Sequence, residues 1–430
     1  MQIKDLIYAS DIDMVTEQEL FRKTKEIKEL LKTERGRKAL AEVFTKDDKF
    51  LELFSGASTR TDLTFTNAVE ELGGRLHPRL WQFSSMVKGE PMESLVHLCN
   101  GIRYKGIIMR HDGDDAEALM KEALATREEW NYPIRFINAG MSNKEHPTQR
   151  LIDIFTIQEL FPDELLQRAS NHNQLRIVLS GDLEYSRTMQ SLVIGLAPYG
   201  PVIWTTSPQD NCIPESTRNF LRENNIEYHE YHRPLKEVMQ EAEPHICYLS
   251  RLQLNLRPWY MQLSEEEQKR IKAELEPPYI EMVGINREVL SVTPSYTKVL
   301  HPLPQGQELP KWFSRDQRAA YHEQQANGLP IRMALLIMMF APNTDLRLLH
   351  QDKQIITVHA KTENRGTFSM PTEIGNISKL CICQGCENHT GQCTAVESKL
   401  SGTWGFISEK DFNSIVGKGQ SPCNACRPRL

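Results

Sequence analysis

At 430 residues the chain exceeds what one hydrophobic core comfortably holds, so two or three domains are expected. Hydrophobic residues make up 40% and charged residues 25%, the balance of a soluble globular protein. A net charge of −6 with no long block of either sign gives no reason to propose nucleic acid or a membrane surface as a partner. The opening Met1-Gln2-Ile3-Lys4-Asp5-Leu6 has no apolar stretch of signal-peptide length and no run approaches a membrane span, so a cytoplasmic location is the default expectation.

In chain order, residues 16 to 44 read as two charged helical segments with Leu20, Phe21, Ile27, Leu30 and Leu31 as their apolar stripe, a scaffold. Lys49 to Phe54 reads as a short strand, and Leu63, Phe65, Ala68, Val69 and Leu72 recur at helical spacing up to Gly73-Gly74. Between the two, Ser58-Thr59-Arg60-Thr61 stands where a helix begins. Free backbone N–H groups and the positive end of the helix dipole favour an anion there, and Arg60 adds a planar fork of donors. Ser and Thr are also ordinary N-cap residues, so this turn taken alone is open between capping and phosphate binding.

Short apolar runs then alternate with helical patterns, at 106–109, 134–137, 175–179, 202–204, 245–249 and 299–300. Strands alternating with helices predict parallel sheets in a layered α/β fold, and their number suits two sheets. Ligands of such sheets bind beyond the strand C-termini. The polar groups found there are Arg110, His146 and Gln149, Arg187, Arg251 and Gln253, and the turn His301-Pro302-Leu303-Pro304. Singly, each has a structural reading: His146 as the residue that opens a helix before Pro147, Arg187 as the surface partner of Glu184.

Together, these motifs resemble those of the aspartate and ornithine transcarbamylases. Ser58-Thr59-Arg60-Thr61 is similar to the family's carbamoyl-phosphate signature, His146-Pro147-Thr148-Gln149 to its second signature and His301-Pro302-Leu303-Pro304 to its third, in order over about 250 residues. The resemblance extends from the N-terminus to about residue 341. Pro302, where the ornithine enzymes usually carry cysteine, and Arg251-Leu252-Gln253 favour aspartate as the acceptor, and two arginines suit a dicarboxylate.

The resemblance implies a carbamoyl-phosphate-binding domain over 1–150, closed by a C-terminal helix at about 320–341, and an aspartate-binding domain over 151–319. It implies that Ser58, Thr59, Arg60 and Thr61 hold the phosphate, that Arg110, His146 and Thr61 face the carbonyl oxygen, and that Gln149 holds the carbamoyl nitrogen. Arg187, Arg251 and Gln253 would fix L-aspartate, with Leu303 and Pro304 near its amine. Phe83 to Glu90 resembles the mobile loop through which Ser84 and Lys88 reach a neighbouring subunit's site, implying a homotrimer. No cofactor is implied for the chemistry.

The chain also departs from the family. Asp62 stands where arginine is usual and Thr66 where glutamate is usual, so both halves of an i, i+4 ion pair are replaced together. Gly56 replaces a glutamate before the first signature, and Gln305 replaces an arginine after the third; with Asp62, these changes raise the rival reading of a non-catalytic paralogue that assists assembly or regulation, and transfer to another amino acid is a second alternative.

Cysteine usage is lopsided: Cys381, Cys383, Cys386, Cys393, Cys423 and Cys426 crowd the last fifty residues, whereas Cys99, Cys212 and Cys247 are scattered. In a reducing compartment such a cluster predicts metal rather than disulfides. Two ligand pairs flanking a segment with Trp404 and Phe406 suit a structural Zn2+ bound by four cysteines, Cys423 and Cys426 with Cys386 and either Cys381 or Cys383. The spacing is similar to that of the zinc domain of the aspartate enzyme's regulatory chain, which favours Cys381 and implies a small β-rich zinc-binding domain over 345–430, a means of higher assembly.

Overall fold

A computed structural model describes residues 3–56, 58–141, 145–166 and 174–350, and four strands beyond them. Two compact units divide the chain at residues 344 and 345.

The first unit carries two parallel sheets. One is built from β1 (Lys49–Phe54), β2 (Arg75–Leu80), β3 (Tyr104–His111) and β4 (Arg135–Met141) in the order β2-β1-β3-β4. The other contains β5 (Arg176–Ser180), β6 (Val202–Thr206), β7 (Glu227–Tyr231), β8 (Ile246–Leu249) and β9 (Lys298–Leu300) in the order β7-β6-β5-β8-β9. Every neighbouring pair in these sheets is parallel, with β1 and β2 in register from Lys49 opposite Arg75 to Phe54 opposite Leu80. Helices on the sheet faces make the crossovers, so the inner strands β1, β3, β5, β6 and β8 are largely buried, as the sequence pattern predicts, whereas β2 and β7 are polar and partly exposed. The segment before the first helix joins β4 by a parallel bridge from Leu6 to Ile137.

The helix Met14–Leu31 begins where the Asp13 side chain accepts from the Thr16 N–H, an N-cap. It packs against the apolar helix Gly328–Phe340, which also covers the helix Thr59–Glu71. That last helix buries Phe65, Ala68, Val69 and Leu72 completely, but Leu63 is 54% exposed and faces a cavity instead of the core. Its hydrophobicity fits the stripe; its position one turn into the helix puts it at the open end of the sheet.

The second unit includes the short helix Leu346–His350 and an antiparallel sheet of β10 (Ile355–Lys361), β11 (Thr367–Glu373), β12 (Val396–Leu400) and β13 (Thr403–Ile407), ordered β11-β10-β12-β13. Cys381, Cys383, Cys386, Cys393, Cys423 and Cys426 all lie outside the described residues. Among the described residues no helix is long and apolar enough to cross a membrane, and no cluster of three metal-ligating side chains occurs.

Candidate active site

Parallel strands end on one side of a sheet, and the turns that follow β1, β3, β4, β5, β8 and β9 converge on one cavity of about 830 Å³ in the first unit. Thirteen of the residues singled out in the sequence line it: Ser58, Thr59, Arg60, Thr61, Arg110, His146, Gln149, Arg187, Arg251, Gln253, His301, Leu303 and Pro304. Ser84 and Lys88 do not. They lie in a segment of two short 3-10 turns, 81–83 and 85–88, in which Phe83 is 82% exposed and Lys88 is exposed, while Trp81 stacks on His111 at 4.3 Å.

Ser58 occupies the N-cap position of its helix, yet its hydroxyl makes no capping bond. Its side chain therefore does not cap the helix, and the first turn of this thirteen-residue helix lines the cavity with Arg60 in it. Burial lowers the Arg60 pKa, and its Nε, like those of Arg110 and Arg332, has no hydrogen-bond partner among the described residues. The guanidinium groups of Arg60, Arg110 and Arg332 line the same cavity, and their positive charge favours an anion there.

The turns are tied together by backbone bonds. The Ser55 N–H donates to the Arg110 carbonyl at 2.9 Å, and the Asp112 N–H donates to Ser55 Oγ at 2.9 Å, so the ends of β1 and β3 move as one. Arg110 is 9% exposed, and burial together with Arg187 pushes its pKa down to about 10. At the end of β4, Gly140 adopts φ +126°, a conformation that L side chains rarely take. A Cβ there would stand 3.1 Å from Arg110 Nη1, 3.5 Å from His146 Cδ2 and 3.6 Å from Arg187 Cζ, so the bare glycine lets all three groups close on one point.

His146 caps the helix Pro147–Leu160: its Nδ1 accepts from the Gln149 N–H at 3.4 Å and lies 3.3 Å from Thr148 Oγ1. With Nδ1 accepting, the ring proton sits on Nε2. Burial, then Arg187, Arg110 and Arg332, hold the His146 pKa well below the usual imidazole value, so the ring is a neutral donor. The structural reading of His146 and the chemical one thus coincide, since the cap fixes the tautomer.

Gln149 spends its amide N–H on Asp153 Oδ1 at 2.7 Å. Asp153, fully buried, also accepts from Gln324 at 2.7 Å and from the Tyr248 hydroxyl at 2.8 Å. Gln324 in turn accepts from the His301 N–H at 2.9 Å, and His301 Nδ1 accepts from the Leu303 N–H at 2.7 Å while its Nε2 is 3.0 Å from Glu308. His301 is therefore a support for the Leu303 turn, where the backbone takes φ +58°. Gln305, one of the departures, donates to the Leu309 carbonyl and closes the same turn.

Arg187 pairs with Asp112 at 2.8 Å and not with Glu184, which lies 3.6 Å from Arg257. Arg257 also meets the buried Asp182 at 3.2 Å and stacks over Tyr185, and Asp182 accepts from the Gln253 N–H at 2.9 Å. These contacts shape the loop that carries Arg251 and Gln253.

Four contributors were not named from sequence: Asp112, Gly140, Asp153 and Arg332. The last was open to discovery, for Arg332 is a lone charge inside the otherwise apolar run Gly328–Phe340, and it is only 3% exposed at the cavity wall. Asp153 gave a weaker signal as a charge among Leu151, Ile152, Ile154 and Phe155.

Comparison with known proteins accords with this geometry. Residues 4–159 match the family model for the aspartate/ornithine carbamoyltransferase carbamoyl-P binding domain, and residues 173–339 that for the Asp/Orn binding domain. The chain is 31% identical over 293 residues to an aspartate carbamoyltransferase catalytic subunit of Methanosphaerula palustris, covering 67% of this chain and 86% of that one. It is 33% identical over 316 residues to the Clostridium novyi catalytic subunit, covering 69% and 92%. A solved aspartate transcarbamoylase from Trypanosoma cruzi, crystallised with carbamoyl phosphate and aspartate, superposes with a TM-score of 0.64 at 23% identity over 79% of this chain and 97% of that one, a likeness of fold. By sequence along both matched segments, the chain belongs to the aspartate/ornithine carbamoyltransferase family.

Proposed function

We propose that the chain is an aspartate carbamoyltransferase, moving the carbamoyl group of carbamoyl phosphate to the amine of L-aspartate to give N-carbamoyl-L-aspartate and phosphate, a step of pyrimidine biosynthesis. The relatives named above carry this activity in their names. The observation that carries the reading is the convergence of Arg60, Arg110, His146 and Gln149 with Arg187 and Arg251 in a single cavity, anion donors on one side and two dicarboxylate readers on the other.

The phosphate would sit on the N–H groups and hydroxyls of Ser58, Thr59 and Thr61 and on the Arg60 fork. The carbonyl oxygen would face Arg110, Thr61 and the neutral His146 Nε2–H, donors already fixed where negative charge develops. Gln149, its amide nitrogen held by Asp153, would turn its carbonyl toward the carbamoyl N–H groups. Arg187, Arg251 and Gln253 would hold the two carboxylates of aspartate, and the Leu303-Pro304 turn would lie beside its amine. As the amine attacks, an N–C bond forms, the C–O bond to phosphate breaks, and the amine proton passes to the departing phosphate. No side chain needs to form a covalent intermediate. Positioning of two reactants can supply about 7–11 kcal/mol.

We further propose a homotrimer in which Ser84 and Lys88 complete a neighbouring site; their absence from the cavity of their own chain and the exposure of Phe83 and Val87 support it. A structural Zn2+ on Cys381, Cys386, Cys423 and Cys426 is proposed from their spacing alone, in a domain that joins catalytic chains into larger assemblies. The free thiols of Cys99, Cys212 and Cys247 accord with a cytoplasmic location.

Colorimetric assay of carbamoyl aspartate with the purified protein tests the activity: product well above that of a His146→Ala control is expected, and product at the control's level would sink the enzyme reading. Ornithine outcompeting aspartate in the same assay would sink the choice of acceptor. Metal analysis after chelation tests the zinc site, for which about one zinc per chain is expected before treatment.

A further inference from the structure

Gly56 and Asp112 occupy one space. A Cβ on Gly56 would press on Asp112 Oδ2, closer than carbon and oxygen approach, with Asp112 Cγ at 3.5 Å, and apart from its chain neighbours no other described residue comes within 4 Å of it. The Asp112 backbone is fixed by its bond to Ser55 Oγ, and its carboxylate lines the cavity. One oxygen, Oδ1, lies 2.8 Å from Arg187 Nη1 and 3.4 Å from Arg110 Nη2. Burial alone would raise the Asp112 pKa, but Arg110 and Arg187 outweigh burial and hold it below the usual carboxylate range. Asp112 follows β3 of one sheet, whereas Arg187 begins the helix after β5 of the other, so the pair spans the cavity from wall to wall.

We infer that Asp112 is a positioning residue of the aspartate site: it clasps Arg187 across the cavity, and Gly56 is the space that this clasp requires. The inference rests on the proposed activity, because Arg187 is taken as a reader of the aspartate carboxylate. It also gives the first departure from the family a physical sense. A glutamate at position 56 would bring a second carboxylate into the volume that Asp112 fills, so the chain carries its acid on the β3 turn instead. Oδ1 carries both arginine contacts, so losing this acid removes the negative charge that lies between the two guanidinium groups. Arg110 already feels Arg187 as a like charge. Arg187 would then turn away from Arg110, out of the orientation in which one edge of its fork meets a substrate carboxylate.

Calorimetric titration of the full chain with two probes tests this. Inorganic phosphate reads the Ser58–Thr61 side, and the bisubstrate analogue N-(phosphonacetyl)-L-aspartate reads both sides. Asp112→Asn is expected to weaken the analogue about tenfold, or about 1.4 kcal/mol, while phosphate binds as well or better because a nearby negative charge has gone. Gly56→Ala, which displaces the carboxylate without removing it, should do the same. The exchange Gly56→Glu with Asp112→Ala should recover most of the loss that either change causes alone, since an acid returns to the same space. Equal weakening of both probes would mean a general disturbance of the site and would overturn the clasp. Analogue binding that is unchanged or tighter in Asp112→Asn would also overturn it, the second result marking Asp112 as a competitor of substrate. A wild-type chain that binds the analogue yet makes no carbamoyl aspartate sinks the activity while these affinities still judge the clasp. A wild-type chain that does not bind the analogue overturns both.

Discussion

Gln149 donates its side-chain N–H to Asp153 at 2.7 Å, and this one bond decides which end of the Gln149 amide meets the cavity. An amide can turn over at little cost, presenting donor or acceptor, unless a neighbour fixes it. Asp153, whose Oδ1 accepts from Gln149 and Gln324 together, takes one of the two Gln149 amide hydrogens and so fixes which end of the amide is nitrogen, leaving the carbonyl as the acceptor for a ligand. A carbamoyl group has N–H bonds to donate there; an acetyl group has a methyl.

Asp153→Leu, similar in volume but without acceptors, is expected to lower kcat/KM for carbamoyl phosphate about tenfold to a hundredfold while that for acetyl phosphate changes little, because the lost term is one buried hydrogen bond. Asp153→Asn keeps an acceptor for Gln149, and the Tyr248 hydroxyl can turn to accept from its NH2, so it should retain most of the discrimination. Equal loss toward both phosphates, at comparable folding by circular dichroism, would remove the orienting role.

Gly140→Ala is expected to cost the enzyme more in kcat than in stability. The backbone strain at φ +126° is on the order of 1–3 kcal/mol, but the added methyl also enters the point where Arg110, His146 and Arg187 meet. A displacement of such donors by an ångström can lower the rate about a hundredfold. Steady-state kinetics beside thermal unfolding separates the two effects; a variant that loses stability and keeps its kcat would show that the three groups need no such closeness.

His146 should stay uncharged through the neutral range. Its folded pKa lies below the unfolded value of about 6.5, so above that pH both states are neutral, and below it the unfolded chain takes up a proton that the folded chain refuses. Stability contributed by the neutral ring is thus lost as pH falls. A nuclear magnetic resonance titration, with His146→Asn to identify the signal, should show no midpoint near the usual imidazole value. A midpoint there would make the ring a cation in the site and overturn its role as a neutral donor.

The strands that shape the cavity were legible because crossover helices bury them on both faces and leave apolar runs. The two strands that escaped, β2 and β7, each lie at one edge of their sheet and are polar there, whereas the opposite edges, β4 and β9, are bridged by further segments, Leu6 with Ile137 and Val299 with Ala319. β2 even contains Pro78, which has no N–H to give and is tolerated at an edge. Cavity-lining Arg110, Arg187 and Arg251 were legible as polar residues just after apolar runs. Asp112 and Gly140 follow runs too, but their roles depend on which neighbour fills a given volume, and spacing in one chain does not contain that distance. The nature of Asp62 was half legible. It is accepted at a helix start, as its charge suggests, and Thr66 Oγ1 lies 3.3 Å from its Oδ1, so the two replaced positions still meet as a hydrogen bond.

The same Asp62 has a second neighbour that sequence could not bring near. Glu52, inside β1 and 2% exposed, faces Asp62 behind the helix that carries Ser58 to Thr61. Burial first, then the charge of Asp62 and a hydrogen bond with it, push the Glu52 pKa up to about 8, against a smaller opposing pull from Arg332. Below the unfolded pKa of about 4.3 both states hold this proton, and between there and about 8 only the folded chain keeps it. Stability is therefore lost as pH rises through that window, by on the order of 5 kcal/mol, and the loss is complete once the folded carboxyl ionises. Glu52→Gln supplies a permanent donor to Asp62 and should flatten urea-denaturation stability between about pH 6 and 9, becoming the more stable protein at the upper end. Parallel pH profiles for Glu52→Gln and wild type would show that no proton is shared between Glu52 and Asp62.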